Sequence, residues 1–386
     1  MTSTNDSVEI LIVAAEASST LYAQRLLEHW RAKGVPVKAF GIGSRQMETL
    51  GFEIIGRSEE LAVVGLQEVI AHWSVIKGAF HGLLAQAEKR RPKVALLLDY
   101  PDFNLRLAKK LKKMGIKVVY YISPQVWAWR QSRVHLIKRV VDQMLVLFPF
   151  EVDFYKRFGV PVQFVGHPLL DELAPELFSA EAKRLERGRY GITDNDTVLA
   201  LMPGSRKSEL KHHLQVQIEA AGKLRQTLPG LKTLLLVAPT FSVDEIKALL
   251  PPTDVPLMLI KDEPFKMINL ADVVLCASGT ATLMVGLMDK PMVVMYRMNA
   301  VTAWIAKRFV RSTAHFGLIN LVLNERVVPE LFQEQADSNG LASALRPLLQ
   351  DSSLRQQMAN RLHQAKQRLG ERGATQRVAD AVEALC

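Results

Sequence analysis

Residues Val94 to Asn104 read VALLLDYPDFN, and this stretch decides the fold. Its five successive apolar residues, with no polar alternation, are typical of a parallel strand that is buried on both faces of a sheet. The turn that follows places Pro101 at the first position of a helix, where its missing N–H is not needed. The stretch therefore predicts a strand–turn–helix unit, the building block of a doubly wound α/β domain.

The same unit recurs along the chain. The other apolar runs are Val8–Ala15, Val37–Gly41, Lys117–Ile122 and Met144–Phe148, and then Val198–Met202, Thr233–Val237, Leu257–Ile260, Val273–Cys276 and Met292–Tyr296. Because helical segments separate them, we predict two doubly wound α/β domains, one from each series. We place the joint near Pro168–Pro175, which gives domains 1–170 and 171–340. The helical segment 341–386 is a candidate for packing back on the N-terminal domain.

Length and composition limit the class of protein. A chain of 386 residues can bury two apolar cores without covalent cross-links. Its two cysteines, Cys276 and Cys386, fit a reducing compartment and a structural role. The polar opening residues 1–7 lack a signal-peptide pattern, and the sequence has no uninterrupted apolar stretch of about 18 residues. We therefore expect a cytosolic protein without a membrane span.

A net charge of +10 and a pI near 9.5 indicate a polyanionic partner, either nucleic acid or an anionic membrane face. Composition cannot choose between them, although the sequence carries no nucleic-acid recognition motif. Basic clusters lie at 89–93, 109–117 and 307–311, and each is equally explained as a solvated helix face.

One amphipathic segment near these clusters has two interpretations. Apolar residues at helical spacing follow one another at Leu66, Val69, Ile70, Trp73, Ile76 and Phe80. Such a helix with aromatic residues either lies in a membrane interface or covers the sheet as a buried helix. The pattern alone leaves both interpretations open.

Two polar clusters follow strands of the first domain. Asp99, Asp102 and Asn104 come directly after the strand Val94–Leu98, where carboxylates can take a proton from a hydroxyl group. The alternative is that Asp99 only caps the helix that begins near Pro101. After the next strand come two tryptophans with neighbouring polar groups, a pattern that indicates a wall for a sugar or a base. Its candidate residues are Ser123, Gln125 and Trp127.

Two small-residue turns in the second domain predict an anion site. The first holds Gly204, Ser205 and Arg206, followed by Glu209, and the second holds Ser278-Gly279-Thr280. Each turn precedes a helix, and the first N–H groups of a helix bind phosphate favourably. The Arg206 guanidinium can bind a diphosphate. The alternative for the first turn is an ordinary capped turn. With no cluster of metal-spaced ligands nearby, we expect cationic side chains and helix amides, not an essential metal, to stabilise a leaving diphosphate.

Taken in order, these motifs resemble the bacterial lipid-A-disaccharide synthases. The resemblance runs from about Ile10 to Gln333. It is carried by Ser123–Arg130, Gly166-His167-Pro168, Pro203–Arg206 with Glu209, Ser278–Thr282, Pro291–Val294 and Tyr296–Met298. The string Ser-Pro-x-Val-Trp-Ala-Trp-Arg is the most specific of these motifs.

The resemblance implies a GT-B fold, in which two Rossmann-like domains face each other across a cleft. It also implies an inverting transfer from UDP-2,3-diacylglucosamine to 2,3-diacylglucosamine 1-phosphate, which yields a β-1,6-linked disaccharide phosphate and UDP. The UDP-sugar is a substrate, so no cofactor is expected. The family is peripheral to the cytoplasmic face of the inner membrane, which favours the interfacial interpretation of the amphipathic segment; the oligomeric state stays open.

The resemblance also assigns roles to residues. Asp99 is the expected base, with Asp102 in reserve, and Glu16 keeps the acidic position of the family's N-terminal motif. Arg206 is expected to neutralise the diphosphate, and Tyr296 and Asn320 to contact the donor. Asn104, Ser123, Gln125 and Trp127 are assigned to the acceptor side, and Gly204, Ser205, Glu209 and Ser278–Thr280 to the donor side.

The sequence departs from the family pattern at ligand-facing positions. The family's Gly-Glu-x-Ser-Gly-Asp reads Ala15 to Thr20 here, its Glu after Thr-Ala-Thr-Leu is Met284, and its Leu-Pro-Asn has Ile319 in the middle. Methionine cannot accept hydrogen bonds from ribose hydroxyls as Glu does. Three alternatives follow: an active divergent synthase, a paralogue with a changed donor or acceptor, and a non-catalytic protein that binds glycolipid or nucleotide.

Overall fold

The computed structural model describes residues 8–61, 73–127, 131–298 and 315–386. The chain divides into two compact units, the first formed by Met1–Asp171 with Gly370–Cys386 and the second by Glu172–Leu369. The helical segment 341–386 is therefore shared between the units: only residues from 370 onward belong to the first, and the rest belongs to the second.

Each unit is built around one parallel sheet. The strands of the first are β1 (Val8–Ala14), β2 (Val37–Gly43), β3 (Glu53–Arg57), β4 (Val94–Leu98), β5 (Lys117–Tyr121), β6 (Gln143–Val146) and β7 (Val162–Phe164). Those of the second are β8 (Val198–Met202), β9 (Lys232–Leu236), β10 (Leu257–Ile260), β11 (Val273–Ala277), β12 (Met292–Tyr296) and β13 (Glu330–Phe332). The orders among described residues are β3-β2-β1-β4-β5-β6-β7 and β10-β9-β8-β11-β12-β13. The predicted doubly wound α/β fold is confirmed for both units.

Helices connect the strands. In chain order they are α1 (Ala17–Ala32), α2 (Arg45–Thr49), α3 (Ser58–Leu61), α4 (Trp73–Arg90), α5 (Pro101–Lys113), α6 (Val134–Val140), α7 (Pro149–Arg157), α8 (Ala180–Arg189), α9 (Lys207–Thr227), α10 (Val243–Leu249), α11 (Pro264–Asn269), α12 (Thr280–Leu287), α13 (Leu318–Leu323), α14 (Ser338–Gln350), α15 (Ser352–Arg368) and α16 (Ala374–Glu383). Short 3₁₀ turns cover Gln131–Arg133, Pro168–Leu170, Pro175–Phe178 and Gln333–Ala336. Helices α8 to α15 lie in the second unit, and the others lie in the first.

The first sheet is buried on both faces, which explains its uninterrupted apolar runs. Successive residues of β1 point to opposite faces: Leu11 and Val13 enter the core that includes α4 to α7, and Ile10 and Ile12 enter the core that includes α1 and α16. The indole N–H of Trp30 in α1 donates to Glu383 Oε1 of α16 at 2.7 Å. The last helix of the chain is thus part of the first unit's core.

In both sheets an aspartate just before a strand adds a hydrogen bond between neighbouring strands at their amino-terminal ends. The Asp142 N–H donates to Val118 O at 2.8 Å, and Val118 N–H donates back to Asp142 Oδ2 at 2.8 Å. In the second sheet Asp272 makes the same pair with Val198, at 3.0 and 2.9 Å. Each aspartate directly precedes a strand, so its side chain extends the ladder of hydrogen bonds by one residue and fixes the register of the strand pair.

The amphipathic segment is only partly described. Leu66, Val69 and Ile70 lie outside the described residues, as does the basic cluster 307–311. Ile76 and Phe80 of α4 are half-buried and pack against the first unit's core, and their contact with a membrane interface stays a prediction. Trp73 is 54% exposed. None of the described helices combines the length and apolar character needed to cross a bilayer.

Candidate active site

The predicted residues of the first unit collect at the carboxyl edge of its sheet. Strands β1 and β4 are neighbours, with Ala14 opposite Leu98, so Glu16 and Asp99 follow adjacent strand ends at the switch point of the sheet. Burial raises the pKa of Tyr100, and the charge of Glu16 raises it further. The two carboxylates therefore belong to one polar region, where ligands of doubly wound sheets bind.

Asp99 occupies a strained turn that two buried side chains hold in place. Asp99 and Tyr100 have φ angles of 49° and 45°, in the left-handed region, which only glycine and short polar residues adopt at little cost. The Asp99 carbonyl oxygen accepts hydrogen bonds from Tyr120 Oη at 2.6 Å and from Asn104 Nδ2 at 2.8 Å. The turn orients Asp99, and strain of this kind is typical of functional sites.

Asn104 and Asp102 differ in environment from Asp99. Asn104 has no exposed surface, and its amide also donates to Leu98 O at 3.1 Å. Its observed role is to support the Asp99 turn, whereas the contact with an acceptor stays a prediction. The Asp102 side chain is 70% exposed and pairs with Arg133 at 2.6 Å. Asp102 thus lies on the solvent-facing side of α5, where its charge is well hydrated.

The altered N-terminal motif forms an ordinary helix start. The Glu16 N–H donates to Ser19 Oγ at 3.0 Å, and Ser19 Oγ donates to Glu16 O at 2.8 Å. Ser19 therefore stabilises the beginning of α1 at the position where the family pattern has its second glycine. Ala15 is buried in the core, and neither residue has a positive φ. The fold accommodates both replacements without backbone strain.

A buried carboxyl group lies behind the Ser123 turn. Glu151 is 3% exposed, and its Oε2 accepts a hydrogen bond from Phe148 N–H at 3.2 Å. Burial raises the pKa of Glu151 to about 7, although the hydrogen bond from Phe148 N–H opposes the rise. Ser123 is itself buried, and its Oγ lies 2.7 Å from Tyr155 Oη. The Ser123–Tyr155 contact thus links the turn after β5 to α7.

The Trp127 ring completes this cluster. It packs edge-to-face on Phe150, with centroids 5.0 Å apart, and Phe150 stacks on Phe148 at 5.4 Å. Gln125 is exposed at the tip of the turn, whereas 128–130, including Trp129 and Arg130, lie outside the described residues. Ser123 and Trp127 therefore form the base of the turn, and Gln125 is the residue of the predicted acceptor wall that faces solvent.

Sequence reasoning missed Glu151 because its position imitates a helix cap. It stands three residues after Phe148 in the first turn of α7, behind Pro149, where acidic residues favour the helix dipole on any exposed helix. The aromatic residues on both sides of it were the available signal of burial.

We expect the replacement of Glu151 by Gln to make thermal stability less dependent on pH. The folded-state pKa of about 7 lies above the ordinary value of 4.5. The carboxyl group therefore stabilises the fold fully below pH 4.5, and this contribution is lost as the pH rises through 7. The loss is on the order of 3 kcal/mol. Melting temperatures measured at about pH 5 and about pH 8 should fall less for Glu151→Gln than for the natural protein as the pH rises.

Glu88→Gln, an exposed acid of the same unit, is the control, and its pH dependence should match that of the natural protein. If Glu151→Gln follows the same pH curve as this control, Glu151 titrates as an ordinary surface acid.

In the second unit, the turn after β8 is organised by Glu209. Its Oε2 accepts hydrogen bonds from Ser205 N–H at 2.8 Å and Arg206 N–H at 3.3 Å. Gly204 has a φ of 129°, and a Cβ there would lie 2.3 Å from Glu209 Oε2. The positive φ and the nearby Glu209 carboxylate therefore both favour glycine at position 204. The Arg206 guanidinium, 3.9 Å from Glu209 Oε1, is half-exposed and carries the positive charge of the turn.

The turn after β11 lies next to it. Strands β8 and β11 pair, with Met202 opposite Cys276, so the beginning of α12 adjoins the Arg206 turn. Gly279 has a φ of 149°, and a Cβ built there meets no described atom within 4 Å. The first turn of α12 contains no acidic residue. Its amino terminus is an open end of the helix dipole, suited to an anion.

Asn320 has its hydrogen bonds inside the second unit. Its side chain is fully buried, and Nδ2 donates to Val328 O at 2.9 Å and to Glu330 Oε1 at 2.8 Å. Its Oδ1 accepts from Val327 and Val328 N–H at 2.9 and 3.0 Å. The observed role of Asn320 is to join α13 to β13, and the direct donor contact assigned to it stays a prediction.

Tyr296 lies at the end of β12 and stacks on Phe332, with ring centroids 6.0 Å apart. Nearby, the buried His213 connects two strand ends: its Nδ1 lies 2.7 Å from Pro203 O, and its Nε2 accepts from Arg297 N–H at 3.1 Å. A protonated Nδ1 satisfies both contacts. A histidine on the buried face of α9 is the one sequence signal of this role.

Comparisons with known proteins agree with this arrangement. The sequence model of one protein family, described as lipid-A-disaccharide synthetase, matches residues 10–384. A lipid-A-disaccharide synthase from Trichlorobacter lovleyi is 41% identical over 373 residues, covering 97% of this chain and 96% of that protein. One from Nitrosococcus oceani is 40% identical over 381 residues, covering 99% and 97%.

Solved structures resemble the fold at low sequence identity. A UDP-GlcNAc 2-epimerase from Neisseria meningitidis bound to UDP-GlcNAc has a TM-score of 0.65 at 12% identity, covering 98% of this chain and 100% of that one. The glycotransferase of kitacinnamycin has a TM-score of 0.62 at 16% identity, covering 98% and 99%. The predicted GT-B architecture, with two Rossmann-like units, is thereby confirmed.

Proposed function

This chain belongs to the lipid-A-disaccharide synthetase family, and from this premise we propose how its residues carry out the reaction. It is a glycosyltransferase of lipid A disaccharide synthesis. The proposed donor is UDP-2,3-diacylglucosamine, and the proposed acceptor is 2,3-diacylglucosamine 1-phosphate. The observation that carries the proposal is the family match over residues 10–384, joined by relatives about 40% identical.

The proposed chemistry is a single displacement with inversion. The 6-hydroxyl oxygen of the acceptor attacks the anomeric carbon of the donor while the bond from that carbon to the diphosphate oxygen breaks. The hydroxyl proton passes to the Asp99 carboxylate, and UDP leaves with the bonding electron pair. The left-handed turn held by Tyr120 and Asn104 supports this role, because it fixes the backbone from which the carboxylate projects.

The donor side requires positive charge where the diphosphate develops its negative charge. We assign this to Arg206 and to the amino terminus of α12 at Ser278–Thr280, with Tyr296 beside them. The amides of Ser205 and Arg206 are taken by Glu209, so the α12 terminus is the better source of backbone donors. The proposed reaction needs no metal ion, and turnover should therefore persist in excess EDTA.

The experiment is turnover of the purified chain with both acylated substrates, with mass analysis of the lipid product and measurement of UDP, in the presence and absence of EDTA. The proposed function predicts a disaccharide phosphate and UDP in equal amounts. UDP release with a different lipid product would identify a paralogue with changed specificity. If calorimetry shows binding of UDP or of the acceptor but no turnover occurs, while an active synthase turns over in the same assay, the chain is a non-catalytic binding protein. That result would contradict the proposal.

We further propose that the protein works at the anionic, cytoplasmic face of the inner membrane, where its acylated substrates reside. The exposed Trp73 at the beginning of α4 supports this placement, since indole rings favour membrane interfaces. The net charge of +10 adds attraction to anionic lipid.

Trp73→Ser is expected to reduce sedimentation with phosphatidylglycerol-containing vesicles roughly ten-fold, because one large apolar side chain no longer enters the interface. Leu185→Ser is the control, since Leu185 is a similarly exposed apolar residue of the second unit, on α8. Equal binding by the natural protein and both variants would remove Trp73 from the membrane contact.

A further inference from the structure

An apolar groove lies between α9 and α10 in the second unit. Its floor is formed by Leu210, Leu214 and Phe241, and its outer wall by Ala248 and Leu249. The groove is open to solvent and has a volume of about 450 Å³, a size within the range of ligand pockets, roughly 300–1,000 Å³. Leu249 is 48% exposed beside it. The surface of the groove is thus mostly apolar, and the side chains of the second unit's described residues leave it open.

The groove begins at the proposed donor site. Lys207, at its mouth, directly follows Arg206 and is the first residue of α9. The Thr240 hydroxyl donates to Ser205 O at 2.7 Å, which ties the Arg206 turn to the segment that leads into α10. Leu210 follows Arg206 by four residues, so it lies about one helical turn, roughly 6 Å, further along α9.

The charges at the rim favour an anionic ligand with an apolar part. Lys207 and Lys211 are exposed beside the groove. The single acid at the rim, Glu245, accepts a hydrogen bond from Ser242 N–H at 2.8 Å and caps α10. A nucleobase would require polar partners in the pocket, whereas the floor of this groove consists of aliphatic and aromatic side chains. The chemistry that fits is a hydrocarbon chain attached to a phosphorylated head.

We propose that the groove between α9 and α10 binds an acyl chain of the sugar-nucleotide donor. This inference rests on the proposed function, which supplies an acylated donor whose diphosphate is held by Arg206. The acyl chain and the diphosphate are attached to the same sugar, so a chain that leaves the donor site can enter the groove past Lys207. The second unit then recognises the donor by its lipid as well as by its nucleotide.

The test compares donors with long acyl chains and with acetyl groups only. Ala248→Trp fills the groove from an exposed position on α10. It is expected to raise both the KM and the calorimetric Kd for long-chain UDP-2,3-diacylglucosamine about ten-fold. This is the effect expected when about two methylene groups of the acyl chain are no longer buried. Its Kd for UDP and for the diacetylated donor should not change. Leu249→Ser should raise the Kd for the long-chain donor about three-fold, because it removes part of the apolar wall of the groove.

Lys247→Trp is the matched control, since Lys247 is an exposed neighbour on α10 outside the groove. An unchanged Kd of Ala248→Trp for the long-chain donor overturns the proposal, and so does an equal loss in the Lys247 variant. Weakened binding of UDP itself would assign the groove to the nucleoside. Calorimetry requires no turnover, so a failed reaction with intact, groove-dependent binding of the long-chain donor would reject the proposed function and leave the groove assignment standing.

Discussion

Asp99→Asn is expected to lower kcat by about 100- to 10,000-fold, the range that a positioned general base contributes. Asparagine is the informative replacement because Asp99 has a φ of 49°, and asparagine adopts the left-handed backbone region at least as readily as aspartate. The hydrogen bonds that hold the turn end on the Asp99 carbonyl oxygen, so they survive the change. The loss therefore reports on the carboxylate. The measurement is single-turnover kinetics beside the Kd for UDP, which should stay unchanged.

Asp102→Asn is the matched control, since it removes the same charge three residues away. Asp102 is exposed and paired with Arg133, and such surface pairs contribute little, about 0–1 kcal/mol. Its turnover should stay close to that of the natural protein. Near-normal turnover in Asp99→Asn, or a large loss confined to Asp102→Asn, would reassign the base.

Sequence patterns predicted the interior strands of both sheets and missed most of the edges. All five strands of the first series correspond to β1, β2, β4, β5 and β6. The strands without a prediction are β3, β7 and β13, each at an edge of its sheet. Their residues are mostly half-exposed, so they lack the continuous apolar run that burial on both faces imposes.

The candidate site was predictable as a set of positions, because strand ends at one edge of a parallel sheet converge whatever their side chains are. The direction of each side chain was not predictable. Asn104 and Asn320 are predicted to contact ligands, and the structure shows that both amides are buried and donate to backbone carbonyl groups, so the ligand contacts stay predictions. An amide gives the same sequence signal in either role, since it can satisfy buried backbone as well as a ligand. Glu151 was not predicted as a buried residue, because its position in the first turn of α7 is equally typical of an exposed acidic residue at the start of a helix.

Arg206→Ala is expected to lower kcat/KM by about 100- to 1,000-fold, the scale on which loss of one preorganised charge stabiliser acts. The side chain is half-exposed, and the turn is held through the backbone amides of Ser205 and Arg206 by Glu209. The substitution should therefore leave the melting temperature unchanged while it weakens UDP binding. Arg206→Lys keeps the charge but loses the bidentate contact with phosphate oxygens. Its activity should therefore lie between that of Arg206→Ala and that of the natural protein.

Arg184→Ala provides the control, because Arg184 is an exposed arginine of the same unit, on α8, that pairs with Asp194. The two variants lose the same charge from the second unit, so a general electrostatic effect on an anionic substrate would weaken UDP binding in both. A loss confined to Arg206→Ala, partly restored in Arg206→Lys, requires that the guanidinium contact the diphosphate. If Arg206→Ala binds UDP and turns over like Arg184→Ala, the leaving group is stabilised elsewhere, and the amino terminus of α12 and the neighbouring Lys207 are then the next groups to test.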